Sequence, residues 1–241
     1  MSGLLLGLLI IKKEYDKHEL DKQSFYNLIT YSMIGIIFGA RLGHCLFYDF
    51  SYYIHNPLEI ILPVQFTPNF KIVGFKGLAS HGGGIGLLMA LFLFSKKYKV
   101  NFLGLLDMFA VATPITGMFI RIGNFFNSEI IGTSSDIFWS VTFLRIDNIP
   151  RHPAQLYEAF FYFLIFLILF AIKRNIGKLK EGILLGCLLI LLFSARFIIE
   201  FFKINQSYFE EGLFLNMGQI LSIPYIILGF LILIFLHYKK A

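Results

Sequence analysis

The apolar run Phe109-Ala-Val-Ala-Thr-Pro-Ile-Thr-Gly-Met-Phe-Ile120 passes directly into Arg121-Ile-Gly-Asn-Phe-Phe-Asn-Ser-Glu-Ile-Ile-Gly132. The first part reads as the end of a membrane-spanning helix. The second gathers an arginine, two asparagines, a glutamate and two glycines into twelve residues. Such groups at a membrane boundary are costly unless they are paired or functional. Snorkelling side chains are common at helix ends, but this density of unlike polar groups exceeds what an end needs. Arg121 and Asn124 are three residues apart, so a continuing helix puts them on one face. Gly123 and Gly132 are expected where the backbone turns tightly or approaches a ligand.

Working outward, the composition supports the membrane reading. The chain has 241 residues, 57% hydrophobic and 17% aromatic, with a mean hydropathy of +0.72. Ordinary soluble domains are far less apolar. Several runs approach the roughly 20 residues that cross a bilayer. The net charge of +6 does not indicate nucleic acid, because the basic residues sit in short loops. Lys12, Lys13, Lys17 and Lys22 form one group; Lys96, Lys97 and Lys99 a second; Lys173, Arg174, Lys178 and Lys180 a third; Lys239 and Lys240 close the chain. Every second loop is basic, which assigns those loops and the C-terminus to the cytoplasm. Cys45 and Cys187 lie inside apolar runs and have neither disulfide nor metal spacing.

The expected fold is all-α: one integral membrane domain over residues 1–241, a polytopic bundle of seven spans. Gly3 to Ile11 is about half a span and lacks the basic start and cleavage site of a signal peptide. It reads as a first helix without its outer half, as a late start codon would leave it. Lys12 to Lys22 reads as the first cytoplasmic loop. Phe25 to Tyr48 is the next span and contains Gly39-Ala-Arg41-Leu-Gly43, whose arginine should face the interior or a polar cavity. Asp49 to Gly77, with Pro57, Pro63, Pro68 and scattered aromatics, reads as half-embedded and external. His81-Gly-Gly-Gly-Ile-Gly86 opens the next span; the Lys-Ser/Thr of a P-loop is absent, though a helix N-terminus there can offer donors to an anion. Thr133 to Arg151 is the longest external polar segment, expected as a small head (133–151) with a strand around Ser140 to Leu144. In His152-Pro-Ala-Gln155-Leu-Tyr157-Glu158, Pro153 suits a first helical turn, and Gln155 and Glu158 share a face. Arg196 and Glu200, four apart in apolar surroundings, are expected to face inward and pair. Lys203 to Leu213 reads as an external loop, in which Asn205-Gln-Ser207 matches a glycosylation sequon. Met217 to Pro224 opens the last span.

The chain uses fifteen lysines and six arginines, and the lysines are nearly all in loops. Arg41, Arg121 and Arg196 fall within or beside spans. A planar, bidentate donor at these points suits a phosphate or carboxylate. The residues alone therefore indicate a site for an anionic lipid rimmed by Arg121, Arg196, His81, Asn124, Asn127 and Glu129. Spacing leaves catalysis and anion transport both open, since transporters also place such groups at broken helices. Polar motifs gathered toward the outer ends of the spans, without paired half-repeats, favour chemistry at the interface.

These motifs closely resemble prolipoprotein diacylglyceryl transferase. The family's G-R-x-G-N-F-x-N-x-E-x-x-G matches Arg121 to Gly132, with Ile120 in place of the first glycine. Gly39 to Gly43, His81-Gly82-Gly83, His152 to Glu158, Arg196 to Phe202 and Met217 to Pro224 match further motifs in the family's order. The resemblance implies an enzyme of the bacterial inner membrane, with seven spans, a periplasmic head and an active site toward the periplasm. It would move the diacylglyceryl group of phosphatidylglycerol to the lipobox cysteine of a prolipoprotein signal peptide, leaving a thioether and glycerol 1-phosphate. It implies no cofactor, metal or nucleic acid. A different phospholipid-using transferase and a non-enzymatic transporter are the alternatives.

On that resemblance, His81 is expected to take the thiol proton, with Glu129 or activation of the substrate by the arginines as the alternatives, and Arg121 and Arg196 to stabilise the leaving phosphate. Asn124, Asn127, Gly132 and Arg41 are expected to help hold phosphatidylglycerol, and Glu200 to hold Arg196. The family's tyrosine four residues before the second arginine is Leu192 here, and the tyrosine of its first helix has no counterpart.

Overall fold

In the computed structural model, the chain is described at residues 2–16, 21–47, 49–62, 64–65, 70–72, 74, 77, 79–175, 179–204 and 214–238. The helices are α1 (Ser2–Tyr15), α2 (Lys22–Phe47), α3 (Phe50–His55), α4 (Leu58–Ile61), α5 (Ser80–Tyr98), α6 (Phe102–Asn127), α7 (Ala154–Asn175), α8 (Ile183–Ile199) and α9 (Met217–Tyr238). Two small antiparallel hairpins join them, β1 (Val64–Gln65) with β2 (Lys71–Ile72), and β3 (Val141–Thr142) with β4 (Pro150–Arg151). Helices α2, α6, α7, α9 and α8 with its extension to Phe202 are long and apolar enough to cross a membrane. The protein is thus a helical integral membrane protein. The sequon at 205–207, Pro63, Pro68 and the basic tail at 239–240 lie outside the described residues.

The chain divides into two compact units, one of residues 18–105 and the other of 1–17 with 106–241. In the first, α2 and α5 cross on glycines. A Cβ on Gly39 would stand 2.3 Å from Gly82 O, and one on Gly86 only 2.0 Å from Gly35 O. Small residues four apart on both helices allow this backbone contact, which side-chain packing in lipid needs. The Gly-rich run after His81 therefore serves packing, as part of α5. Arg41 is buried, as its depth required. Its Nε donates to Ile60 O at 3.1 Å and its Nη2 to Glu59 O, and the guanidinium lies over the Tyr53 ring at 4.9 Å. It thereby fastens α3 and α4, the segment read as half-embedded, to α2.

In the second unit, Ala110, Val111, Tyr162, Ile165, Leu169, Leu184, Leu188 and Ala195 of α6, α7 and α8 form the buried core. Asp107 of α6 caps α8, accepting from Gly182 N at 2.7 Å and Leu185 N at 2.8 Å; orphan amides at a helix start require such a partner. Phe193 and Tyr225 stack at 4.2 Å to join α8 and α9. One expectation is corrected at α1: the helix continues through Lys12 and Lys13 to Tyr15. Glu14, expected in a loop, pairs with Lys173 Nζ at 2.6 Å. The pairing stabilises the extra turn, which sequence periodicity could not show.

Candidate active site

Arg121 lies in the last turns of α6, because the helix continues through Gly123 to Asn127. Of the two uses expected of Gly123, a tight turn or close approach to a ligand, the turn is not there. A Cβ at Gly123 would meet nothing within 4 Å, and helical hydrogen bonding outweighs the roughly 1 kcal/mol cost of a glycine. The chain turns instead at Ser128 and Ile130, with φ of 58° and 53°. A β-branched residue in the left-handed region costs about 1–3 kcal/mol and needs firm surroundings. These are supplied by Glu129 N donating to Asn124 O at 2.9 Å and by Gln155 Nε2 donating to Glu129 O at 2.6 Å. Gly132 is required for closeness: its Cβ would fall 2.2 Å from His152 O and 2.8 Å from Phe202 O. There the chain bridges to Lys203.

Behind this turn is a network of alternating charges. Arg121 Nε stands 3.1 Å from Glu158 Oε2, an ion contact whose angle falls short of a hydrogen bond. Lys203 Nζ donates to Glu158 Oε1 and to Glu200 Oε2, both at 3.0 Å. The side chains of Glu158 and Lys203 are 0% and 3% exposed. Two expectations are overturned here. Lys203 is a buried cation, not a loop residue, since two carboxylates compensate its charge. Glu200 pairs with Lys203 rather than with Arg196. Helix α8 ends at Ile199 and the chain tightens into a 3₁₀ turn over Glu200–Phe202, where residues three apart eclipse.

Arg196 is left with a buried Nε that has no hydrogen-bond partner among the described residues. Tyr162 of α7, in the buried core beside Ala195, lies between the helices that carry Arg121 and Arg196. Arg121 and Lys203 are matched by Glu158 and Glu200 in this network, and Arg196 stands outside it. Two amide acceptors are also buried without donors among the described residues, Asn124 Oδ1 and Gln155 Oε1. A ligand that satisfies both sets carries anionic oxygens and hydroxyl groups. At the rim, exposed Glu129 accepts from Asn124 Nδ2 at 2.6 Å and Asn127 Nδ2 at 3.5 Å.

The matching family model is that of prolipoprotein diacylglyceryl transferase, over residues 1–235. This chain belongs to that family. A phosphatidylglycerol–prolipoprotein diacylglyceryl transferase of Bacteroides fragilis is 46% identical over 242 residues, covering 99% of this chain and 87% of the relative. Those of Chloroherpeton thalassium and Tolumonas auensis are 44% and 43% identical, covering 86% and 90% of the relative.

For a member of the diacylglyceryl transferase family, the structure brings together Arg121, Asn124, Asn127, Glu129, Gly132, Arg196 and Glu200, all in one unit. His81, exposed in the first turn of α5, and Arg41 lie in the other. Leu192 packs against the core of α6, α7 and α8. Sequence reading missed Lys203 and gave Glu158 no part in the site. A charged residue three places after Glu200 was visible, but the distant Glu158 that completes its compensation was not.

Proposed function

We propose that this chain transfers the diacylglyceryl group of phosphatidylglycerol to the lipobox cysteine of prolipoproteins. The carrying observation is the buried Arg196 Nε without a hydrogen-bond partner, in the same unit as the buried acceptors Asn124 Oδ1 and Gln155 Oε1 that lack donors among the described residues, which suits a headgroup combining phosphate with glycerol hydroxyls. In the reaction, the cysteine thiol loses its proton and attacks C3 of the glyceryl group. The C–S bond forms as the C3–O bond breaks, and the electron pair leaves on the phosphate of glycerol 1-phosphate. Negative charge grows on that phosphate, where Arg121 and Arg196 stabilise it most. Asn124 and Gln155 accept from headgroup hydroxyls. His81 or Glu129 takes the thiol proton, whose ordinary pKa is about 8.5.

In this reading the chain is a single domain of seven spans in the bacterial inner membrane, with residues 133–151 as a periplasmic head. Its C-terminus is cytoplasmic, and the lipobox enters with its signal peptide from the periplasmic side.

Membranes carrying labelled phosphatidylglycerol are to be incubated with a lipobox peptide and with its Cys→Ser counterpart. Label is expected on the cysteine peptide alone. Label crossing the membrane without covalent transfer would instead indicate a transporter. Arg121→Lys keeps the charge but loses the fork and should slow turnover about 100-fold or more; turnover at the parent rate would reject bidentate phosphate recognition.

A further inference from the structure

The segment joining α6 to α7 is less polar in space than in composition. Phe138 is 95% exposed, Leu144 79% and Trp139 55%, with Ile146 and Ile149 also exposed. Phe138 and Trp139 meet ring to ring at 5.8 Å, and large apolar side chains exposed on one segment mark a contact surface. Asp147, Arg151 and Arg145 are turned on the protein itself. Asp147 pairs with Arg151 and accepts from Ile149 N at 3.0 Å, while Arg145 Nη1 donates to Phe126 O at 3.3 Å.

Three observations identify what covers the patch. First, the loop leaves α6 at Asn127 and enters α7 at Ala154, and both helices are long and apolar enough to span, so its roots are at the membrane surface. Second, Trp139 Nε1 donates to the Tyr157 hydroxyl at 2.7 Å, and Tyr157 is in the first turn of α7. The indole is thereby held at the depth where α7 enters the apolar layer. Its single donor is already satisfied, so the remaining ring surface gains by leaving water. Third, Phe160 and Phe161, at i+3 and i+4 from Tyr157, are exposed, so the patch continues into the lipid-facing side of α7.

We propose that residues 137–149 form an interfacial wedge, with Phe138, Trp139 and Leu144 seated in the boundary between phospholipid headgroups and acyl chains. An aromatic residue with an apolar body and a satisfied polar edge suits that layer. The wedge is tied to α6 through Phe125, whose ring meets Phe143 at 5.7 Å. It therefore holds the end of α6 that carries Arg121 at headgroup depth. This inference rests on the spans of α6 and α7 and not on the reaction.

Trp139 is the only tryptophan in the chain, so intrinsic fluorescence reports this loop without labels. The full chain is to be placed in vesicles of phosphatidylcholine and phosphatidylglycerol whose acyl chains carry bromine either near the carbonyl or near the methyl end. Quenching should be strongest with bromine near the carbonyl, and aqueous iodide should quench several-fold less than it quenches free N-acetyltryptophanamide. Free access to iodide with no bromolipid quenching would overturn the proposal. So would protection from iodide that appears only when a lipobox peptide is added, since the patch would then belong to the peptide. Phe138→Ser with Leu144→Ser retains the indole and should weaken bromolipid quenching while the melting temperature stays unchanged; undiminished quenching in that variant would also overturn the wedge.

Discussion

Lys203 Nζ lies 3.0 Å from carboxylates on both α7 and the 3₁₀ turn. Removing one partner of a buried charge group leaves the others uncompensated, at about 3–5 kcal/mol. Lys203→Met should lower the melting temperature in detergent accordingly. Adding Glu200→Gln should recover part of the loss, because contacting sites are not additive; strictly additive losses would mean that the two side chains do not interact. The network also explains why Arg196 is unengaged by Glu200 and faces a ligand-sized demand for anionic oxygens. In the sequence, Arg196 and Glu200 stand at helical spacing and read as partners. The exchange of partners becomes visible only once Lys203 is placed between Glu158 and Glu200.

Among the elements, α2 and α5 are the pair most exposed to a single methyl group. Gly86→Ala places a Cβ 2.0 Å from Gly35 O, and overpacking of this kind costs about 1–3 kcal/mol. Gly84 has nothing within 4 Å of its absent Cβ, so Gly84→Ala should be neutral or stabilising by up to about 1 kcal/mol through helix propensity. Thermal unfolding of the two variants checks the contrast, and equal losses would place the crossing elsewhere. The β3–β4 hairpin carries a pH dependence. The Arg151 side chain, then the Ile149 amide, hold the Asp147 carboxyl below its ordinary value. A lowered carboxylate pKa contributes stability that is present above the unfolded value, about 3.9, and is lost as pH falls through the lower folded value. Trp139 fluorescence should therefore change below about pH 3.9 in the parent, and Asp147→Asn should abolish that transition.

Across the whole molecule, alternating basic loops implied which helix ends share a side. The Glu14–Lys173 pair at 2.6 Å places the ends of α1 and α7 together, in agreement with that reading. With Cys45 and Cys187 replaced by serine, Ser134→Cys should react with an impermeant maleimide in intact cells, and Arg174→Cys only after permeabilisation. The opposite pattern would invert the proposed orientation. The spans α2, α6, α7, α8 and α9 were legible because apolar length is a property of the chain alone. The extension of α1 was hidden, because its stabilising partner lies far away in sequence.

The sequence alone determined that this is a helical membrane protein, which residues carry its family's motifs, and that Arg121 and Arg196 stand at the candidate site. These follow from composition, run length and residue type, which need no partner to be read. Only the tertiary structure decided that the turn falls at Ser128 and Ile130, that Lys203 is buried between Glu158 and Glu200, and that Gly132 is needed for closeness. Each of these depends on atoms brought together from distant segments, where burial sets the cost of a charge and contact sets the space for a side chain.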